Sequence, residues 1–444
     1  MKGIISLLKG KSFISLLGNG ISALLGLLSF AILARYTSKQ DFGIWIIFLT
    51  TYGIFDTLRT GMILNAFIKN YTQSNGIDEE QNVIGSSWYL SLIVNALYFL
   101  IISIIYLIFN IFSILPQYHF FFLWYFLISI FSLPLNFSTW YLNAKLQILE
   151  MSLVRIFSQF LFVIFILFFF EFTIFDKLTI VLFCYTLSQL LTSIFCFFKG
   201  WTGLRYFGKR TKQGLNSLFN FGKFSMGTLL FSNLIKGSDS FIISKFLGTI
   251  AVATYSVPLR IVDFFEIIVR SFAITNMPLM SALHAKNDIQ LLRKEFERKT
   301  GFLFFLLLPA SIFCIVFAKQ IVVLLAGAQY KDSYYLLQLF AIYTAFTPLD
   351  KLSGVMLDII NKPQSNFIKV ILMLTVNVVG DIFSLYYFGT LESVAIVSTL
   401  TFLTGVFYGM YILNKSIEVN FLNIFNLGFG EFVLKFKTIT QNKI

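Results

Sequence analysis

The sequence predicts an all-α polytopic membrane protein with about twelve transmembrane helices in two six-helix lobes. Of its 444 residues, 57% are apolar, only 12% are charged and 56 are Phe, whereas a soluble chain carries roughly 25% charged residues. Stretches of about 20 residues with few or no charges recur along the chain, which is enough to cross the hydrocarbon core. The runs 98–109 and 161–170 are continuously apolar rather than alternating, which excludes a β-barrel.

The apolar runs, taken in order, predict twelve spans. They are 12–34, 42–65, 83–109, 119–141, 151–171, 174–197, 219–241, 251–278, 301–318, 333–356, 366–387 and 391–413. Residues 421–437 are also apolar, but this run is short and ends in Lys435 and Lys437. It predicts an interfacial helix, with a thirteenth span as the alternative.

The basic residues predict the orientation, because they accumulate in the cytoplasmic loops of membrane proteins. With the N-terminus inside, the inner segments hold 23 Lys and Arg residues and the outer segments hold six. Both termini are therefore predicted to be cytoplasmic. These loops account for most of the net charge of +13, so nucleic-acid binding is not needed to explain it. The basic run 199–213 is predicted to touch anionic lipid headgroups.

The sequence indicates no catalytic, cofactor or metal site. Three cysteines stand singly in apolar runs and predict no disulfide framework: Cys184, Cys196 and Cys314. His119 and His284 have no carboxylate or Cys at ligand spacing. The run "KGKSF" resembles the end of a phosphate loop, but Ile5 stands where that pattern needs a glycine. We therefore expect no enzyme activity.

An internal repeat relates the two halves of the chain. "SLPLN" at 132–136 recurs as "FTPLD" at 346–350, and "SLVRIF" at 152–157 recurs as "NFIKVI" at 366–371, both 214 residues later. The run 29–43 resembles 241–255 in the same order. Two halves of six spans enter the membrane with the same orientation, so the repeat axis is predicted to run along the membrane normal, with a site between the lobes.

The repeat predicts four segments. They are an N-terminal lobe (1–198), a basic cytoplasmic linker (199–218), a C-terminal lobe (219–413) and a cytoplasmic or interfacial tail (414–444).

Charges inside the predicted spans are the strongest indication of a site. A charge at mid-bilayer costs about 2.5 to 3.5 kcal/mol and usually faces a cavity or another charge. In the eighth span, four charged residues share an arc of about 120° on the helix: Arg260, Asp263, Glu266 and Arg270. The other spans contribute Asp56, Arg59, Lys236, Asp239, Asp350, Lys351, Asp358 and Asp381. Mutual neutralisation is the alternative, since several pairs of opposite sign are within helical reach.

Three runs carry a family resemblance that covers nearly the whole chain. They are "ILARYTSKQDFGIW" at 32–45, "SDSFIISKFLG" followed by "VATYSVPLRI" at 238–261, and "LLAGAQYKDSYYLLQLFAIY" at 324–343. With them the chain resembles bacterial polysaccharide exporters of the multidrug/oligosaccharidyl-lipid/polysaccharide (MOP) superfamily, and above all O-unit flippases of the Wzx type. Flippases of the peptidoglycan precursor are similar but have two further spans.

The resemblance implies a flippase in the bacterial inner membrane. Its expected substrate is an undecaprenyl-diphosphate-linked oligosaccharide such as an O-antigen unit, and glycan polymerase machinery is an expected partner. The basic residues expected to meet the diphosphate are Arg59, Lys236, Arg260, Arg270 and Lys351. The acids expected to bind a coupling cation are Asp56, Asp239, Asp263 and Glu266, with the last two as the first choice.

Two other functions remain open at this point. A multidrug-cation antiporter of the same fold is expected to have an acid-dominated cavity, unlike the basic set above. A membrane-embedded glycan polymerase or ligase is expected to have a large external loop with Arg or His, whereas the outer connections here are all short.

Overall fold

The computed structural model of this chain describes residues 11–74, 76–112, 120–171 and 176–441. The predictions that concern Ile5, the start of the run "KGKSF" at 9–13, and His119 lie outside these residues. Within them, the first half contains six long helices: α1 (Lys11–Tyr36), α2 (Lys39–Thr72), α3 (Ile77–Ile111), α4 (Phe120–Ala144), α5 (Ile148–Phe169) and α6 (Lys177–Phe198). A short 3₁₀ helix (Leu204–Lys209) follows them.

The second half continues with helices of more varied length. They are α7 (Lys212–Leu247), α8 (Thr249–Ala285), α9 (Ile289–Val316), α10 (Ala318–Ala326), α11 (Tyr334–Thr344), α12 (Thr347–Ile359), α13 (Pro363–Tyr387), α14 (Leu391–Ile417) and α15 (Phe421–Gln441). A second 3₁₀ helix (Ala328–Ser333) connects α10 to α11. Nine helices of the described chain are long and apolar enough to cross a membrane. The prediction of a polytopic all-α membrane protein is confirmed.

The tenth predicted span, 333–356, is not one continuous helix. It is divided into α11 and α12, which are separated at Ala345 and Phe346. The cause is Pro348, in the first turn of α12: it has no N–H to donate to the preceding turn, and its ring crowds the carbonyl of Thr344. The other eleven predicted spans each coincide with one helix, α1 to α9, α13 or α14.

Side chains of the sequence cap several of these helices. Asp176 accepts a hydrogen bond from the backbone N–H of Thr179 at the start of α6 (2.9 Å). Asp288 does the same for Leu291 at the start of α9 (3.1 Å). Each cap satisfies a backbone donor that the helix itself leaves unpaired, so these residues fix where the two helices begin.

The chain forms two compact units. The first contains residues 1–37 and 47–234, and the second contains residues 38–46 and 235–444. The core of the first unit is rich in aromatic residues: Trp88 stacks on Phe137 with ring centroids 4.3 Å apart, and its indole N–H donates to the carbonyl of Thr202 at 2.8 Å. The lobe boundaries predicted from the repeat, at 198, 218 and 413, remain a prediction.

In the second unit, α15 crosses α9 at very close range. A Cβ atom at Gly428 would lie 2.2 Å from the carbonyl carbon of Gly301, and one at Gly301 would lie 1.8 Å from the carbonyl oxygen of Ile424. The crossing is flanked by ring contacts of Phe304 with Phe425. The tail helix therefore packs on α9 through glycines that leave no room for a side chain.

Candidate functional site

Lysines from two other helices of the second unit approach the charged stripe of α8, which is formed by Arg260, Asp263, Glu266 and Arg270. Glu266 accepts from the Nζ atom of Lys236 on α7 at 2.9 Å, and the Nζ atom of Lys351 on α12 lies 3.4 Å from its other oxygen. Both lysines are partly exposed, at 49% and 38%. The structure thus brings together three residues predicted for the site, because Lys236 and Lys351 both contact the carboxylate of Glu266.

The other charges of α8 lie along the same helix. Arg260 pairs with Asp263 at 3.7 Å, and both side chains are about two-fifths exposed. Arg270 is exposed, and within the described residues no ion pair joins it to an acid. A surface pair of this kind contributes about 0 to 1 kcal/mol, so the contact with Asp263 by itself adds little to the stability of the fold.

The network continues from Lys351 into the interior of the second unit. The Nζ atom of Lys351 lies 3.7 Å from Oδ2 of Asp350, and Oδ1 of Asp350 accepts from Lys369 of α13 at 2.9 Å. Lys369 also donates to the backbone carbonyl of Asp350 at 2.8 Å. Asp350 and Lys369 are both buried. Lys369 is one of the 23 basic residues that the orientation analysis assigns to the inner segments, and the structure places it inside the helical packing.

A second polar cluster surrounds Asp239 of α7. Its Oδ1 atom accepts from the amide of Asn377 on α13 at 2.9 Å, and its Oδ2 atom accepts from the hydroxyl of Tyr255 on α8 at 2.8 Å. Ser398 of α14 reaches the same Oδ2 atom at 3.4 Å. Asp239 is buried, so four helices of one unit converge on this carboxylate.

Asp381 completes this second cluster. It lies one helical turn after Asn377 on α13, is fully buried, and interacts electrostatically with Asp239. Neither of its carboxylate oxygens has a hydrogen-bond partner among the described residues. A buried carboxylate without a donor is costly, and a second carboxylate beside it adds repulsion. Such a pair is suited to binding a proton or a small cation.

The predicted residues of the first unit form a separate and more enclosed group. The guanidinium of Arg59 is only 2% exposed and pairs with Asp56 of the same helix. It also donates to the backbone carbonyl of Ser129 at 2.9 Å and to the hydroxyl of Ser132 at 3.1 Å. The two terminal nitrogens of Arg59 thus have partners within the unit, whereas its buried Nε atom has no hydrogen-bond partner among the described residues. The role of Arg59 as a substrate ligand remains a prediction.

Several residues of these clusters were not singled out from the sequence. Asn377, Tyr255 and Ser398 carried no signal, since neutral polar residues are common in spans and their partners are far away in sequence. Lys369 was counted only as a basic residue near the end of a span. Asp381 was noted as a charge without a role. In the described part of the chain, no group of three or more His, Cys, Asp or Glu side chains could hold a metal ion.

Comparisons with known proteins identify the family. A family model described as "Polysaccharide biosynthesis protein" matches residues 8–284, more than half of the chain, and a second model, MatE, matches residues 225–383. A probable low-salt glycan biosynthesis flippase of Haloferax volcanii is 21% identical over 213 residues, which are 48% of this chain and 45% of that protein. The chain thus spans about half the length of this curated relative.

Two solved structures share the fold over most of the chain. An inward-facing multidrug resistance MATE family transporter of the MOP superfamily has a TM-score of 0.72 at 16% identity, covering 91% of this chain and 99% of that one. The lipid II flippase MurJ, in an inward closed conformation, has a TM-score of 0.70 at 14% identity, covering 96% and 92%. The predicted resemblance to MOP polysaccharide exporters is confirmed. The chain belongs to the polysaccharide biosynthesis protein family and has the fold of the MOP superfamily.

Proposed function

We propose that this protein is a flippase for an undecaprenyl-diphosphate-linked oligosaccharide, an O-antigen unit or a related repeat. It would move this lipid from the cytoplasmic to the outer leaflet of a bacterial inner membrane by alternating access, and deliver it to glycan polymerase machinery. The family match supports a role in polysaccharide synthesis. The names of the Haloferax relative and of MurJ support lipid-linked glycan transfer rather than an enzymatic reaction.

The observation that carries the proposal is the excess of basic side chains around Glu266. Four partly or largely exposed cations, Lys236, Arg260, Arg270 and Lys351, outnumber the two acids of α8, Asp263 and Glu266. Asp350 also contacts Lys351, but its charge is balanced by Lys369. A diphosphate carries several negative charges, and charge-assisted hydrogen bonds to phosphate are among the stronger polar contacts. A site with this balance favours an anionic headgroup over an organic cation.

The two lysines and the two arginines would act differently on such a headgroup. Lys236 and Lys351 share Glu266 as a counter-ion, so an arriving diphosphate would compete with that carboxylate for them. Arg260 and Arg270 offer planar donor forks that match two phosphate oxygens at once. The polyprenyl tail would stay in the surrounding lipid while the headgroup crosses. When the headgroup is released, Lys236 and Lys351 would pair with Glu266 again.

Coupling to a cation gradient is the second part of the proposal. Among the acids predicted for this role, the contacts favour Asp239, together with Asp381, over Asp56, Asp263 and Glu266. The last three are ion-paired, whereas Asp381 lacks a hydrogen-bond donor in the described chain. Carboxylate, amide and hydroxyl oxygens are the ligands that hard cations prefer. A bound H⁺ or Na⁺ would neutralise the repulsion between Asp239 and Asp381.

The multidrug antiporter is the main alternative, and a binding experiment separates it from the flippase. The purified protein would be titrated with farnesyl diphosphate, with farnesol as the uncharged control and tetraphenylphosphonium as the cationic probe, using native mass spectrometry. We expect binding of farnesyl diphosphate, and weaker binding in Lys351→Gln and Arg270→Gln. Binding of tetraphenylphosphonium without binding of farnesyl diphosphate would contradict the proposal.

A further inference from the structure

Asp350 and Lys369 form an ion pair in the interior of the second unit that the proposed transport mechanism does not use. Their side chains are only 3% and 4% exposed. Taking two charges out of water costs several kcal/mol for each ion, and a buried pair often stabilises a fold no better than apolar residues do. Stability is therefore a poor explanation for this pair.

The helix packing is shaped around the pair. A Cβ atom at Gly405 of α14 would lie 2.7 Å from Oδ1 of Asp350. One at Gly354 of α12 would lie 3.3 Å from the Nζ atom of Lys369. Because glycine has no side chain, these two positions leave room for the charged groups. The close packing around them holds the pair in one arrangement.

The carboxylate of Asp350 is shared between two lysines. Its Oδ1 atom accepts from Lys369 at 2.9 Å, and its Oδ2 atom lies 3.7 Å from the Nζ atom of Lys351. Lys351 in turn lies 3.4 Å from Glu266. Asp350 therefore links Lys369 to Lys351, which belongs to the proposed substrate site. Because Lys369 occupies one oxygen of Asp350, it limits how strongly Asp350 can bind Lys351.

We infer that Lys369 is a positioning residue for Lys351. By holding one oxygen of Asp350 and its backbone carbonyl, Lys369 leaves Lys351 only a loose contact with Asp350. Lys351 then stays between Asp350 and Glu266, where an anionic headgroup can recruit it. The identity of that headgroup rests on the proposed function, whereas the link between Lys369 and Lys351 does not.

The equivalent positions of the first half are arranged differently. The repeat aligns Asp350 and Lys369 with Asn136 and Arg155. Arg155 is exposed and donates to Asn19 at 3.3 Å. Arg155 thus offers a matched control: a basic residue at the repeat-related position, bonded to a neutral amide.

The test measures the reactivity of individual lysines in the detergent-solubilised full chain. An amine-reactive reagent would be applied at fixed pH, and the labelling of Lys351 and Lys209 would be followed by mass spectrometry. In Lys369→Met, Asp350 can turn both oxygens to Lys351, so we expect Lys351 to label about fivefold more slowly. Lys209 of the first unit, which is 55% exposed and pairs with Asp78, is the internal control and should keep its rate. Lys369→Arg should restore the parent rate at Lys351, and Arg155→Gln should change neither.

A second variant, Asp350→Asn, tests the same link if Lys369→Met does not fold. Asp350→Asn removes the anion from both lysines, so Lys351 should label faster than in the parent, alone or combined with Lys369→Met. An unchanged rate at Lys351 in folded Lys369→Met, or in Asp350→Asn, would overturn the inference.

Parallel titration with farnesyl diphosphate separates the two proposals. If the parent does not bind this probe but Lys351 responds as expected, the substrate assignment fails and the positioning role stands. If the parent binds the probe and Lys351 does not respond, the positioning role fails and the substrate assignment stands.

Discussion

The amide of Asn377 donates a hydrogen bond to Asp239 over 2.9 Å, and it joins α13 to α7. Asp381 lies one turn further along α13, fully buried and without a hydrogen-bond partner in the described chain. Lys236 lies three residues before Asp239 on α7 and pairs with Glu266. Helix α7 therefore carries both Asp239, of the proposed cation site, and Lys236, of the proposed headgroup site.

The first prediction concerns coupling through Asp239 and Asp381. Asp239→Asn and Asp381→Asn each remove one charge from the buried pair, and we expect both variants to lose the Na⁺ or H⁺ dependence of transport. Transport would be measured in vesicles with and without an imposed Na⁺ or pH gradient. Asp358→Asn is the matched control, since Asp358 is exposed and, within the described residues, its carboxylate accepts hydrogen bonds only from Asn366. Unaltered ion dependence in both cluster variants would place coupling elsewhere.

The second prediction separates ligand binding from charge pairing at Arg260. Arg260→Ala should abolish export of surface glycan while the protein still inserts, and Arg260→Lys should rescue it only in part, because an ammonium lacks the planar donor fork. The pair with Asp263 is partly exposed, at 40% and 42%, so its loss should cost about 1 kcal/mol or less.

The deciding variant is the double substitution Arg260→Ala with Asp263→Ala. If Arg260 binds the headgroup, the double variant stays inactive, with normal membrane abundance by immunoblot. Full recovery of export would contradict headgroup binding by Arg260 and would show that Arg260 serves only as a counter-ion of Asp263.

The third prediction concerns the crossing of α15 and α9. Gly428→Ala places a methyl group 2.2 Å from the backbone of Gly301, so the helices must separate and the melting temperature should fall, by an amount equivalent to about 1 to 3 kcal/mol. Gly430→Ala is the control on the same helix, because a Cβ atom there meets nothing within 4 Å. It should leave stability unchanged or raise it by up to about 1 kcal/mol through helix propensity. Equal melting temperatures for both variants would refute this packing.

The fourth prediction concerns orientation. Gly208 lies in the basic segment between α6 and α7, and a side chain there meets nothing within 4 Å. Gly208→Cys should react with a membrane-impermeant maleimide only after the cells are opened. Lys319→Cys, in a predicted outer segment, should react in intact cells. The native cysteines are buried and should give little background. Labelling of Gly208→Cys in intact cells would reverse the predicted topology.

The sequence predicted the helices well because each apolar run is long enough to be unambiguous on its own. It missed the break between α11 and α12, since a proline near a span centre can kink a helix or end it, and the apolar pattern is the same in both cases. The short helix α10 was not predicted either, because residues 319–332 were expected to be an outer connection between two spans.

The site was predicted in part. Lys236, Glu266 and Lys351 were each visible as isolated charges in apolar runs, and the structure brings them together. Asn377, Tyr255 and Ser398 could not be found in this way, because their roles depend on how α7, α8, α13 and α14 pack. Lys369 lies near the end of a span, where basic residues usually serve orientation, and only its contact with Asp350 shows otherwise.

Reconstitution tests the central claim most directly. The purified protein would be placed in liposomes that contain a fluorescent undecaprenyl-diphosphate-linked oligosaccharide, and a membrane-impermeant quencher would report how much of the lipid reaches the outer leaflet. We predict flipping that depends on the protein, falls strongly in Arg260→Ala and Arg270→Ala, and is absent for a cationic dye. Flipping at the rate of protein-free liposomes, or transport of the cationic dye instead, would contradict the account.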